Sequence, residues 1–229
     1  MSNRRLISHD TVSHDAFVHT HTERVSPPLV PEITLLLARE PRGIFVSADT
    51  YCDGGLGARP YWAFAWPGGQ ALARYLLDNP DLVRGKSVLD IGAGSAMGAI
   101  AAMKAGAKLA LAADIDHLAE SAARLNATLN DVRIETTHDD LLSSPITWPT
   151  TWDVILIGDL VYEPDLKQRV GTFLEAARAK GAKVIYADRT TARRPAVDLR
   201  LLAEYEAPLT PPLVEDFIER ARVWELGRH

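Results

Sequence analysis

From Lys86 onward the sequence alternates between short apolar runs and alanine-rich or amphipathic segments. Apolar runs suited to buried strands occupy residues 87–91, 109–113, 132–136, 152–157 and 183–187. Helical patterns follow the first, second and fourth of these runs, at residues 96–105, 117–130 and 164–180. Such alternation requires parallel strand pairing, with helices packed on both faces of the sheet. The sequence therefore predicts an α/β fold with a doubly wound sheet.

The alternation of strands and helices ends after Arg194. Residues 196–202 favour a helix, whereas residues 203–207 and 220–226 favour strands. Because no long helix separates the last two strands, we expect an antiparallel pair at the edge of the sheet.

The first part of the chain differs from the rest in composition. Its start is polar and rich in histidine, and we expect a frayed tail, a turn and one helix at residues 32–39. A glycine-rich linker follows at residues 53–60, and Pro67 then opens a further helix. We therefore divide the chain into an N-terminal extension with a helix, residues 1–60, and an α/β domain, residues 61–229.

Charge and cysteine content narrow the class of protein. The net charge of −5 makes a nucleic-acid backbone an unfavourable partner. Cys52 is the only cysteine among the 229 residues, so no internal disulfide or cysteine-based metal cluster can form. We expect no transmembrane segment, no secretory signal and no transit peptide, and hence a cytoplasmic protein.

A glycine loop follows the first strand of the alternation. Gly92, Gly94 and Ser95 lie where the backbone of an α/β sheet approaches a ligand closely. Gly98 is one residue late for the dinucleotide-binding spacing, and Asp90 would repel a pyrophosphate. A carboxylate here suits a cationic ligand, such as the amino and sulfonium groups of S-adenosylmethionine. The alternative is a structural turn in which Asp90 caps the next helix.

The second strand is followed by another acidic pair. Asp114 stands 20 residues beyond Gly94, near the spacing of about 20 residues at which nucleotide sites place a ribose-binding acid. Asp116 is expected to cap the helix that begins at His117. Ile115, between the two acids, is included in the predicted cofactor site. An acid after a strand can also serve only as a cap, but together with the glycine loop it favours ribose binding.

The third and fourth strands supply the remaining candidates. Asp139 could accept a hydrogen bond from an adenine amino group, or belong to a solvated turn. Asp159 and Tyr162 follow the fourth strand and could point into one pocket with Trp66, whose alternative role is core packing. Arg189, Arg193 and Arg194 follow the fifth strand, where a solvated basic loop is expected and a substrate clamp is the alternative. No metal site is expected, because no histidine pair has ligand spacing on a helix.

Several segments resemble a known family. Residues 88–96 (VLDIGAGSA) resemble the first motif of seven-β-strand methyltransferases, and residues 159–162 (DLVY) resemble the acidic motif of their lysine-directed branch. Residues 24–35 (RVSPPLVPEITL) and 61–80 (YWAFAWPGGQALARYLLDNP) are similar to the electron transfer flavoprotein beta-subunit lysine methyltransferases. The resemblance extends from about Arg24 to the C-terminus. Ribosomal protein L11 methyltransferases are the alternative relatives.

This resemblance implies a seven-stranded sheet of order 3-2-1-4-5-7-6 with strand seven antiparallel. It also implies methyl transfer from S-adenosylmethionine to a lysine of a protein, with the electron transfer flavoprotein beta subunit as substrate and a ribosomal protein as the alternative. Two departures stand out: Ala96 replaces a customary glycine, and the loop from Asp188 to Arg193 is longer than the family's. The longer loop bears on substrate choice.

The resemblance and the residues together predict a mechanism. Free lysine has a pKa of about 10.4, so the site must hold the neutral amine in line with the methyl group. We expect Asp159 to orient the nitrogen and stabilise the cation that forms, with water removing the proton, because a carboxylate is a poor general base for an ammonium. Tyr162 and Trp66 would line the lysine channel. A methyltransferase for a small molecule or a nucleic acid, and a non-enzymatic binding protein of the same fold, are the rival interpretations.

Overall fold

A computed structural model describes residues 9–52, 59–143, 152–161, 164–189, 194–213 and 218–227. In chain order its elements are α1 (His9–His21), β1 (Thr22–Val25), β2 (Leu35–Ala38), α2 (Gly43–Tyr51), α3 (Pro67–Asp78), β3 (Ser87–Ile91), α4 (Met97–Lys104), β4 (Leu109–Ala113), α5 (His117–Leu129), β5 (Glu135–Thr137), β6 (Val154–Gly158), α6 (Pro164–Ala179), β7 (Lys183–Asp188), β8 (Leu199–Pro208) and β9 (Ile218–Leu226). No helix within these ranges combines the length and the apolar character needed to cross a membrane.

The main sheet has seven strands in the order β5-β4-β3-β6-β7-β9-β8. The pairs from β5 to β7 are all parallel, whereas β9 runs antiparallel to both β7 and β8. This arrangement confirms the predicted doubly wound α/β sheet, with the last strand inserted antiparallel. The chain winds outward from β3 in one direction and from β6 in the other, so a crevice forms beyond the carboxyl ends of these two strands.

Alternate side chains of the central strands pack into two different apolar clusters, one on each face of the sheet. Val88 and Leu156 face the cluster that contains α3 and α4, whereas Leu89 and Ile157 face the cluster that contains α6. The side chains of β6 from Val154 to Ile157 are buried, as predicted for a central parallel strand. Burial on both faces explains why this strand reads as an uninterrupted apolar run.

Two predicted element assignments near the ends of the chain are wrong. Residues 196–202 do not form a helix, because β8 begins at Leu199 and continues to Pro208 along the edge of the sheet. Its pairing with β9 shifts register between Leu201 and Ala203. An edge strand carries mixed exposure on both faces, so the two-residue alternation that would identify it is weak in the sequence.

The N-terminal extension contains more structure than expected. Residues 32–39 include strand β2, which pairs antiparallel with β1, and the predicted helix there is wrong. The four side chains of β2 are buried. Leu35 and Leu37 pack with the α3–α4 cluster, while Leu36 and Ala38 pack with a third cluster that includes Val18 of α1. A strand buried on both faces has no polar side to reveal its period.

Two asparagines of α5 hold β2 against the rest of the molecule. The Asn126 side chain accepts a hydrogen bond from the Leu36 amide (2.7 Å) and donates to the carbonyl of Ser95 (3.0 Å). One turn later, Asn130 accepts from the Thr34 amide (3.0 Å) and donates to the Thr34 carbonyl (2.6 Å). These amides take the place of a neighbouring strand, so the buried backbone of β2 keeps its hydrogen bonds. Asn126 also joins the extension to the glycine loop.

Helix α3 is fixed to the sheet at its first turn. The Asp159 carboxylate Oδ2, just beyond β6, accepts hydrogen bonds from the amides of Gly68 (2.6 Å) and Gly69 (3.3 Å). A Cβ added at Gly68 would lie 2.7 Å from this carboxylate, so only glycine allows the approach. Pro67, at the first helical position, needs no amide partner there.

Asn126→Leu tests the anchoring role of this asparagine. Leucine has the same branching and the same number of side-chain heavy atoms as asparagine, but it leaves the Leu36 amide and the Ser95 carbonyl buried without partners, at a cost of about 1–3 kcal/mol each. We expect the free energy of unfolding to fall by about 2–4 kcal/mol in denaturant titrations. The matched control is Thr128→Ala, an exposed position on the same helix, which should stay within about 0.5 kcal/mol of the parent. Equal stability of the two variants would contradict the anchoring role.

Candidate functional site

A large cavity lies in the crevice beyond the carboxyl ends of β3, β4, β6 and β7. Its volume is about 1510 Å³, more than the roughly 300–1,000 Å³ of ordinary small-molecule sites. The predicted site residues that line it are Trp66, Asp90, Gly92, Gly94, Ser95, Asp114, Ile115, Asp139 and Asp159. The fold therefore brings every predicted site residue except Tyr162 to one cavity, and Tyr162 lies outside the described residues.

Asp90 ends β3 and lies beneath the glycine loop. Its Oδ2 accepts a hydrogen bond from the Ala99 amide (2.8 Å), in the first turn of α4. A Cβ at Gly98 would lie 2.8 Å from the same oxygen, which explains the position of this glycine in the motif. The capping role considered from the sequence is therefore present. Asp90 also lines the cavity, so capping and ligand binding are compatible.

Asp114 fixes the glycine loop from the end of β4. Its Oδ2 accepts from the Gly94 amide (2.8 Å), and its Oδ1 accepts from the Asp116 amide (3.1 Å). Asp116 caps α5 as predicted, because its Oδ1 accepts from the Leu118 amide (2.8 Å). A carboxylate has about four lone-pair positions. Asp114 can therefore hold the loop and still accept hydrogen bonds from a ribose.

The carboxylates at this end of the cavity carry uncompensated negative charge. Within the described part of the chain, neither Asp90 nor Asp114 forms a salt bridge. Burial is the main reason that the pKa of Asp90 is raised to about 7; the hydrogen bond from Ala99 opposes this shift, and the nearby Asp114 carboxylate adds to it. Burial likewise raises the pKa of Asp114. Buried acids without a cationic partner suit a ligand that brings positive charge.

Three other predicted binding residues, Ser95, Ile115 and Asp139, line the same cavity. Ser95 is buried beside the loop, where its carbonyl accepts from Asn126. Ile115 exposes 43% of its surface at the cavity and offers an apolar face for a flat ring. Asp139 is exposed, and its Oδ2 accepts from the Thr137 hydroxyl (2.9 Å). Both the adenine-binding and the solvated-turn interpretations of Asp139 fit this position.

Asp159 follows β6, which pairs with β3 on the side away from β4. In addition to capping α3, it accepts a hydrogen bond from the Arg189 amide at Oδ1 (3.2 Å). Its backbone adopts a positive φ of 48°, an uncommon conformation that often marks functional positions. Burial raises its pKa to about 6, opposed by the Arg189 charge and the two glycine amides. The carboxylate is therefore charged at neutral pH and held in place by three backbone amides.

The mouth of the cavity next to Asp159 combines an aromatic ring with an ion pair. The Arg189 guanidinium lies 5.1 Å from the centre of the Trp66 ring and forms a salt bridge with Glu219 (2.8 Å). Trp66 is partly buried and donates its indole N–H to the Tyr61 carbonyl (2.9 Å). The ring thus has a packing role and also faces the cavity. The Arg189 side chain is 35% exposed, and residues 190–193 lie outside the described residues, so the solvated basic loop stays a prediction.

Two cavity-lining residues of β7 escaped the sequence analysis. Asp188 is buried, and its Oδ1 accepts from the Trp224 indole (3.4 Å) while its Oδ2 has no partner within the described residues. Burial raises its pKa to about 6. Tyr186 lies on the same strand, and burial raises its pKa as well. The signal for Asp188 was present, since it follows a buried strand as Asp90 and Asp114 do.

Comparisons with known proteins place this geometry in a family. The model of the ribosomal protein L11 methyltransferase (PrmA) family matches residues 71–158. The electron transfer flavoprotein beta subunit lysine methyltransferase of Xenopus laevis is 42% identical over 178 residues, covering 76% of this chain and 69% of that protein. The Rattus norvegicus protein of the same name is 38% identical over 221 residues, covering 92% and 83%.

Solved structures show the same fold at lower similarity. A putative RNA methyltransferase from Pyrococcus horikoshii has a TM-score of 0.52 at 14% identity, covering 73% of this chain and 88% of its own. The protein that converts a disulfide bond into a thioacetal group during echinomycin biosynthesis has a TM-score of 0.54 at 19% identity, covering 80% and 91%. These structures share the fold but leave the substrate open. Sequence identity and coverage together show that the chain belongs to the electron transfer flavoprotein beta subunit lysine methyltransferase family.

Proposed function

We propose that this protein transfers a methyl group from S-adenosylmethionine to a lysine of the electron transfer flavoprotein beta subunit. The observation that carries the proposal is the cavity beyond the carboxyl ends of β3 and β6, in a chain of this methyltransferase family. One part of the cavity holds acids without a cationic partner among the described residues, and its mouth is aromatic and acidic. S-adenosylmethionine supplies the methyl group as an electrophilic sulfonium. The site residues have to bind a cationic nucleoside and admit an amine.

The donor set of the cavity fits this cofactor. Asp90 is a buried acceptor without a cationic partner in the described residues, and it suits the charged methionyl end of the ligand. Asp114 has lone pairs left for a ribose diol, and Ile115 offers an apolar surface to a purine. A dinucleotide would instead place a pyrophosphate against Asp90, which like charge disfavours. The residues present therefore favour a positively charged sulfur nucleoside.

The mouth of the cavity suits a lysine side chain. Asp159 is held rigidly by backbone amides and is partly buried, so it can position an incoming nitrogen and stabilise the ammonium that forms. Trp66 presents a ring face that already attracts the Arg189 cation. Glu219 adds a second carboxylate at the same rim. These groups would receive a long cationic side chain projecting from a folded protein.

The direct test is methylation of the proposed substrate. Purified enzyme, S-adenosylmethionine and the electron transfer flavoprotein beta subunit are incubated together, and intact-protein and peptide mass spectrometry follow the product. We expect methyl groups on lysine of the beta subunit. Ribosomal protein L11 is assayed alongside, because the L11 methyltransferase family model matches the central part of the chain. Methylation of L11 alone would make L11 the substrate in place of the flavoprotein subunit. Methylation of neither protein would contradict both candidate substrates.

Asp159→Asn tests the proposed role of this residue in transfer. The amide oxygen of asparagine can still accept from the Gly68 and Gly69 amides, so α3 should keep its cap. Loss of the negative charge should lower kcat by about 10²–10³-fold, the range for removing one group that stabilises developing charge. The affinity for adenosylhomocysteine should stay within about twofold in calorimetry.

The matched control for this variant is Asp153→Asn. Asp153 is exposed and lies just before the other end of β6, and its carboxylate accepts hydrogen bonds from the Ser87 amide and hydroxyl. Its substitution should leave kcat unchanged. Parental turnover by Asp159→Asn would remove this carboxylate from the mechanism.

Asp90 gives cofactor binding a pH dependence. Its pKa is about 7 in the free protein, since burial and the neighbouring Asp114 both disfavour the charged form. A cationic ligand favours the ionised carboxylate, so binding should release a proton, and affinity should rise with pH. Between about pH 6 and pH 8 we expect the dissociation constant of S-adenosylmethionine to fall about tenfold by calorimetry.

Two variants assign this dependence to a residue. Asp90→Asn should flatten the pH profile, whereas Asp139→Asn, at the exposed end of the cavity, should keep the parental slope even if affinity changes. A flat profile for the parent, or an unchanged slope in Asp90→Asn, would contradict the proposed contact between Asp90 and the cationic end of the ligand.

A further inference from the structure

A cluster of two histidines and a glutamate lies outside the proposed catalytic site. His117 is the first residue of α5, Glu120 follows one turn later, and His138 comes just after β5. Each offers one ligand atom, and these three atoms all lie within 4.8 Å of one another. The sequence separates His138 from the other two, and the parallel pairing of β4 and β5 brings them together.

The contacts within the cluster hold the three side chains in one orientation. His138 Nδ1 lies 2.9 Å from Glu120 Oε2, and the centres of the His117 and His138 rings are 4.3 Å apart. Glu120 Oε1 also accepts from the Thr136 hydroxyl (3.2 Å). Two imidazoles and a carboxylate that is oriented by a further hydrogen bond make up a recognised arrangement of metal ligands and their supporting shell.

We propose that His117, Glu120 and His138 bind a divalent transition-metal ion, with zinc as the ion best suited to this ligand set. Imidazole nitrogens and a carboxylate oxygen are zinc ligands at about 2.0–2.2 Å, and three protein ligands leave a fourth tetrahedral position for water. The side chains of His138 and Glu120 are 52% and 30% exposed, so small rotations can bring the ligand atoms to these distances. The ion would replace the hydrogen bond between His138 and Glu120.

The cluster lies between the start of α5 and the end of β5, and this position indicates a structural role for the ion. His117 follows Asp116, which caps α5, and His138 precedes Asp139 at the rim of the large cavity. One ion would therefore clamp the start of α5 to the end of β5. These two segments carry the predicted ribose-binding and adenine-binding residues. The role we assign to the metal is to hold this wall of the cavity, and its binding can be measured without any methyl transfer.

Zinc titration of the full chain tests the site. Metal-free protein at neutral pH is titrated with zinc chloride by calorimetry, and thermal unfolding is followed with and without zinc. We expect one ion per chain and a raised Tm. His138→Ala and Glu120→Gln each remove a direct ligand, so each should weaken zinc binding by more than the roughly 10–100-fold known for loss of a supporting group around a metal. The matched control, His19→Ala on the exposed face of α1, should bind zinc as the parent does.

A second measurement locates the ion. Hydrogen exchange should slow at residues 115–120 and 135–140 when zinc is added to the parent, but not when it is added to His138→Ala. Zinc binding of equal strength in the parent and in both cluster variants would overturn the proposal. So would binding that is lost in His19→Ala, or the absence of binding to a folded parent chain.

Discussion

The structure depends on carboxylates at strand ends that accept the free amides of helix N-termini. Asp90 binds the first turn of α4, Asp116 caps α5, and Asp159 binds the first turn of α3. Each of these helix ends carries a partial positive charge and amides without partners inside the helix. Placing acids there satisfies the backbone where it would otherwise be buried and unpaired. It also concentrates negative charge around one cavity.

That concentration of charge connects the fold with the proposed activity. Burial raises the pKa values of Asp90, Asp114 and Asp159, so keeping these groups charged costs free energy in the absence of a cation. A cationic nucleoside at one end and a lysine at the other would each recover part of that cost. At the mouth, Arg189 already supplies a cation to Trp66 and Glu219. In the proposed function, the same groups that position the helices would also select ligands by charge.

The N-terminal extension belongs to the same network. Asn126 and Asn130 replace the missing neighbour of β2, and Asn126 reaches the carbonyl of Ser95 in the glycine loop. The division of the chain at residue 60 stays a prediction, but the hydrogen bonds and the burial of Leu35 and Leu37 tie the extension closely to α3, α4 and α5. An interface of this kind makes the loop sensitive to how well the extension is packed.

The sequence by itself determined the strand–helix alternation, the parallel core of the sheet, and nine of the residues that line the cavity. These features are local: an apolar run with a glycine loop and an acid after it defines the end of a strand wherever it occurs. Asp188 has the same local pattern, an acid at the end of a buried apolar strand. Only the tertiary structure decided that residues 35–38 and 199–202 are strands, because their burial and pairing depend on partners far away in the chain. It alone also decided that Asp159 caps α3 and that Arg189 covers Trp66, since these contacts join segments that no local pattern relates.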